Sequence, residues 1–165
     1  MGNQVSFALR LCRVKWSLEQ KLLVAADRRM LVERGAPITY DHWLATGQGP
    51  VLASTLGLMN APDQPSYWSD HISQDGQDAV LKADPGDDNL SRAEDGVIEG
   101  TFRDLQREAV GTTAALPEMA DVDFAAQPIS YADVLRASGL SAEETEGVLE
   151  RIETQDAVYE LLGTF

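Results

Sequence analysis

The run Lys21-Leu22-Leu23-Val24-Ala25-Ala26-Asp27-Arg28, followed by Gly35-Ala36-Pro37-Ile38-Thr39 and then Gly49-Pro50-Val51, constrains this chain more than any other feature. Ser17-Leu18-Glu19-Gln20 has the form of a capping box, in which the serine caps and the glutamine reaches back. Leu18, Leu22, Ala25, Ala26, Arg29 and Met30 then trace a broad, mostly apolar stripe at helical spacing, which predicts a helix from about Leu18 to Arg34. Gly35 supplies a left-handed stop and Pro37 forbids continuation. Ile38 to Thr46 reads as extended, with Tyr40, His42 and Leu44 alternating against Asp41, Trp43 and Ala45. Both sets hold bulky groups, which predicts either cover on both sides or a path around the edge of the domain. Gly47 and Gly49 give a flexible bend, and Pro50 suits the first turn of a helix to about Met59.

The remaining chain divides by the same signals. Val5 to Val14 reads as a short first helix. After a Pro-rich connection, Tyr67, Trp68, His71 and Ile72 lead into the turn Asp75-Gly76, with Ala79 to Ala83 as the return strand of a hairpin. Ser91-Arg92-Ala93-Glu94 is a second capping box, opening a helix that buries Val97, Ile98, Phe102 and Leu105. Residues 111–127 are Ala- and Thr-rich with few large apolar groups. Ser130 to Asp133 caps a short helix ending at Gly139, and Ser141-Ala142-Glu143-Glu144 caps a last helix that buries Val148, Leu149 and Ile152. The expected fold is mainly α with a small antiparallel β element, an α+β helical bundle with a hairpin, in one domain across residues 1–165.

Charge narrows the function. The formal net charge is −14. Such a chain repels phosphate backbones, and the last helix, a candidate recognition helix, carries Glu143, Glu144, Glu146 and Glu150, so direct nucleic-acid binding is not expected. The acids that dominate from Asp63 onward serve solubility or steer a basic partner protein. No apolar run approaches the ~20 residues of a membrane helix, and the start lacks a secretory apolar segment, so a cytoplasmic protein without membrane contact is expected. Cys12 has no second cysteine to pair with.

Catalytic and metal-binding sets do not stand out, and no cofactor is expected. The two histidines, His42 and His71, each follow an aspartate, Asp41 and Asp70, but aspartate is abundant here. No Gly-x-Ser-x-Gly elbow is present, and Gly47-Gln48-Gly49 is followed by no Gly-Lys-Ser/Thr. The chain itself favours a protein that works by binding rather than an enzyme.

Several short motifs, in order and spacing, resemble the Panacea domain, the SocA-like antitoxin family, over about Leu18 to Glu153. They are Ala26-Asp27-Arg28, then Gly35, Pro37, Ile38, Thr39 and Asp41, then Trp43 and Ala45, then Gly49, Pro50, Val51 and Ser54. Leu116-Pro117-Glu118 and Pro128-Ile129-Ser130-Tyr131 are similar to the family's second half, while Ala114 and Met119 stand where members carry His and Trp. The resemblance implies an antitoxin of a bacterial or phage toxin–antitoxin pair, which neutralises a cognate, co-encoded protein toxin by direct contact. An alternative is a proteolytic adaptor or phage accessory protein that diverts a host protein, in one form to a host protease. A third is a hydrolase or transferase with an unrecognised site.

Within that frame Asp27, Arg28, Gly35, Pro37, Thr39, Gly49 and Pro50 form the structural motif, with Arg28 expected to pair with an acid of the bend and fix its shape. Trp43 and Trp68, beside Asp41 and Asp70, are the candidate partner-binding residues, on condition that a tryptophan is exposed.

Overall fold

The computed structural model describes residues 16–47, 49–60, 67–75, 78–83, 86, 90–111 and 127–162. The expected helix at 5–14, the Asp75-Gly76 turn beyond Asp75, and the positions of Ala114 and Met119 lie outside these. Helix α1 (Trp16–Arg34) is followed by strands β1 (Trp43–Thr46) and β2 (Gly49–Leu52), helices α2 (Ala53–Asn60) and α3 (Tyr67–His71), and strands β3 (Ile72–Asp75) and β4 (Asp78–Leu81). Helix α4 (Arg92–Gly111), strand β5 (Gln127–Ile129) and helices α5 (Tyr131–Ala137) and α6 (Ala142–Leu162) complete the order. The fold is mainly α with small antiparallel sheets, as the sequence predicts.

Helix α1 is the central element and packs against α4, β2 and α5. It buries Leu22, Leu23, Val24, Ala26 and Leu31, while Arg29 is exposed, so the buried stripe is rotated from the predicted one. Each fully buried leucine contributes roughly 1.5–3 kcal/mol relative to exposure. Gln20 does not turn back to cap α1: it is buried, and its Oε1 accepts the Leu52 amide of β2 at 3.1 Å. A buried amide needs a partner, and tertiary contact supplied a better one than the helix start.

Helix α4 presents Val97, Ile98 and Thr101 to the core, with Phe102 and Leu105 half-buried. Its predicted capping box is present: the Ser91 amide donates to Glu94 Oε2 at 2.6 Å and the Glu94 amide to Ser91 Oγ at 3.3 Å. The same device starts α5 through Ser130 and Asp133, and α6 through Ser141 and Glu144. The Ser130 hydroxyl and amide hold the Asp133 carboxyl below the usual carboxylate range. Gly139 turns the chain between α5 and α6 at φ +93°, giving an αα-hairpin; Leu135, Val148 and Ile152 from this pair join the core.

Among the described residues two β elements are present where one was expected. β3 and β4 pair antiparallel as predicted, with Ile72 opposite Leu81. The second is a three-stranded antiparallel sheet in the order β2-β1-β5, with Trp43 opposite both Leu52 and Ile129. Pro50 therefore belongs to a strand, not to a helix start, and α2 begins at Ala53. Both edge strands carry a proline: Pro50 lies opposite Ala45 and Pro128 opposite Leu44. A proline offers no amide to an incoming strand, so it is tolerated at an edge and blunts that edge.

Candidate functional site

The segment between α1 and β1 is a bend pinned by two carboxylates. Asp27, about two turns before the end of α1, has no exposed surface. Its Oδ1 accepts the amides of Ile38 and Thr39, each at 2.9 Å, and its Oδ2 accepts the Thr39 hydroxyl. The Thr39 hydroxyl in turn accepts the Asp41 amide at 3.2 Å. Asp41, also buried, reaches forward: its Oδ1 accepts the amides of His42 at 2.7 Å and Ser54 at 2.9 Å. Its Oδ2 accepts the Thr55 amide and the Thr55 hydroxyl, both at 3.0 Å. Ser54 and Thr55 lie in the first turn of α2, a helix with no acid of its own there. Asp41 is thus the remote N-terminal cap of α2, satisfying orphan amides and facing the positive end of the helix dipole.

Between the two carboxylates Tyr40 sits at φ +53°, a conformation that costs a non-glycine residue of order 1 kcal/mol and persists because both flanks are fixed. Burial pushes the Asp27 carboxyl up from 3.8 to about 6, against the lowering effect of its three hydrogen bonds; the nearby Asp41 adds to the rise.

Arg28 plays no part in this network. It is exposed, and its Nε donates to Ser138 Oγ of the α5–α6 turn at 2.9 Å. The expected pairing of Arg28 with an acid of the bend is therefore corrected: amides and hydroxyls fill the carboxylates, and Asp27, its neighbour, does the fixing. Gly35 ends α1 at φ +77°, and Pro37 and Thr39 are buried. Ile38 to His42 is a bend rather than a strand, with Thr39, Asp41 and Trp43 inward and Tyr40 and His42 outward. Gly49, at φ +119°, returns β1 into β2.

Beside the bend an open groove of about 780 Å³ runs between α1, the three-stranded sheet and α5. Val24, Ala25, Val32, Pro50, Ile129 and Ala137 give it an apolar lining, and Trp43 forms part of its wall. Trp43 is only 3% exposed, and its indole Nε1 has no hydrogen-bond partner among the described residues. Charges stand around the lining. Glu33 is paired with Arg29, and Asp133 with Arg136 and the Ser130 cap. Lys21 and Arg28 have no acidic partner among the described residues.

The four residues expected to meet a partner are thus dispersed. Asp41 is internal and its oxygens are occupied. Trp43 is a wall residue of the groove. Asp70 is exposed at the end of α3, and the Trp68 side chain lies outside the described residues. Thr55 and Lys21 were not singled out as site residues from sequence, and Gln20 was expected only in the cap of α1. For Thr55 a signal existed: Ser54-Thr55 opens a helix that lacks a local acid, which calls for a cap from elsewhere. His42 is exposed and His71 half-buried, and among the described residues no group of three or more His, Cys, Asp or Glu is placed to hold a metal. No described helix is long and apolar enough to cross a membrane.

The described residues thus combine a carboxylate-pinned bend with an open groove that is apolar in its lining and charged around it. A family model described as "Antitoxin SocA-like, Panacea domain" matches residues 20–110. That span is more than half of the 165 residues, and the chain belongs to this family. It takes in the whole pinned bend, from Asp27 to Thr55. No curated protein and no solved structure matches the chain.

Proposed function

We propose that this protein is the antitoxin of a bacterial or phage toxin–antitoxin pair and neutralises its cognate toxin by direct protein–protein contact in the cytoplasm, acting as one domain and without chemistry of its own. The family match across residues 20–110 carries the reading. The structure is compatible with it in a specific way. The motif residues most typical of the resemblance, Asp27, Thr39 and Asp41, spend their polar atoms internally. They shape a scaffold, and contact with a toxin falls to the surface around it. The acidic surface, with a net charge of −14, favours encounter with a basic partner.

The test is co-expression of this chain with the product of the adjacent reading frame. Growth restored by this protein, with a stable complex recovered from the cells, supports the proposal. A toxic neighbour that kills equally well in its presence removes it. Restored growth accompanied by loss of the neighbour's product, reversed when host proteases are deleted, would assign the adaptor role instead.

A further inference from the structure

We infer that the groove between α1, β1 and α5 is the docking site for an apolar segment of the partner protein that carries an acidic side chain; this deepens the antitoxin reading and rests on it. The lining supplies the apolar half of the argument. Val24 and Ala25 on α1 face Ile129 of β5 and Ala137 of α5 across an open channel of about 780 Å³. That volume suits a few side chains of an inserted segment rather than a whole domain.

Charge selects the occupant. The groove holds both signs, but unequally engaged. Its two acids, Glu33 and Asp133, already have Arg29 and Arg136 as ion-pair partners. Its cations Lys21 and Arg28 have none among the described residues, and the one bond from Arg28 goes to a neutral hydroxyl. In a chain of net charge −14, two uncommitted cations beside one apolar channel form a local positive site. Screening over about 8 Å at physiological salt leaves these cations, rather than the distant acids, to act on a seated side chain.

The Trp43 ring forms part of the wall. Its indole N–H is itself buried, so it serves as a reporter of a segment seated against the wall rather than as a contact to that segment. A lysine-bearing segment would meet Lys21 and Arg28 as like charges.

The experiment uses the full chain and three synthetic probes: acetyl-Ala-Leu-Asp-Leu-Val-amide and its versions with Asn or Lys in place of Asp. Binding is read from the indole N–H resonance of Trp43, assigned with the Trp43→Phe variant. The Asp peptide is expected to shift that resonance, the Asn peptide to bind more weakly, and the Lys peptide not to bind. Lys21→Glu and Ala137→Glu should each weaken the Asp peptide about tenfold or more, as loss of one local charge interaction or blocking of the channel implies. Arg92→Glu makes the same charge change as Lys21→Glu on exposed α4 and should leave binding unchanged.

Equal binding of the three peptides, no binding of any, or indifference to Lys21→Glu and Ala137→Glu would overturn the inference. So would binding that appears only after residues 112–126, an Ala-rich stretch with Leu116, Val122 and Phe124 beside Glu118, Asp121 and Asp123, are replaced by a Gly-Ser linker; the groove would then belong to this chain's own segment. Failure of the wild-type protein to rescue growth bears on the antitoxin reading, and the peptide arm still decides the groove. Rescue that survives both groove variants, with no peptide bound, sinks the groove alone.

Discussion

Asp27 and Asp41 are joined through one side chain: the Thr39 hydroxyl donates to Asp27 and accepts from the Asp41 amide. Among the described residues neither carboxylate has a cation as partner, so the connection from α1 to α2 is held by amides and hydroxyls alone. Hydrogen bonds to an ionised acceptor contribute about 1.5–3 kcal/mol each, and removing the acceptor strands buried donors.

Asp41→Ala strands the Thr55 amide and hydroxyl and uncaps α2. It is expected to cost about 3 kcal/mol or more in urea unfolding, with faster amide exchange in α2. Arg28→Ala removes one exposed hydrogen bond and should cost less than about 1 kcal/mol. Reversal of that order would mean that the carboxylates are not what fixes the bend.

Asp27 predicts a pH dependence with a definite sign. Its folded-state value, about 6, lies above its ordinary 3.8. The folded protein therefore holds a proton that the unfolded chain releases. The stabilisation from this group is present below about pH 4 and lost as pH rises through 6, a change of roughly 3 kcal/mol. Asn at position 27 keeps an oxygen for the two amides and does not titrate. The stability of wild type minus that of Asp27→Asn should fall between pH 4 and 7, measured by urea midpoints at each pH. A flat difference would show that Asp27 is ionised throughout.

Gly35 separates backbone from contact effects. A Cβ there would lie 2.8 Å from Arg151 Nη2, the movable end of a long side chain, whereas φ +77° strains any L-residue. Gly35→Ala should cost about 1 kcal/mol from the backbone alone. Adding Arg151→Ala should recover little of it, and a full recovery in the double-mutant cycle would place the cost in the contact.

How much of this was legible beforehand follows from where each signal lies. The three serine-led capping boxes at Ser91, Ser130 and Ser141 were readable because cap and reciprocating acid sit three residues apart in sequence. The box at Ser17 misled because Gln20 had a better partner in Leu52, distant in sequence. The three-stranded sheet was missed for a similar reason: Trp43 meets Ile129 across 86 residues, and β5 is only three residues long. Asp27 was placed in the motif by resemblance, yet Arg28 was given its task, since an Asp-Arg pair in sequence does not say which side chain turns inward.

The edge prolines carry a further prediction. Pro50→Val and Pro128→Val each restore an amide to an exposed edge position of the β2-β1-β5 sheet. The double variant should self-associate with rising concentration in light scattering, while the wild type does not. Equal behaviour would show that these edges are covered by other means.

The most direct test of the account is a titration of purified toxin activity against this protein. Neutralisation by holding predicts a linear fall with an end point at a fixed molar ratio, and toxin recovered active when the complex is dissociated. Toxin abolished by trace amounts of this protein, and left chemically altered, would contradict it, since a binder cannot act beyond its own stoichiometry.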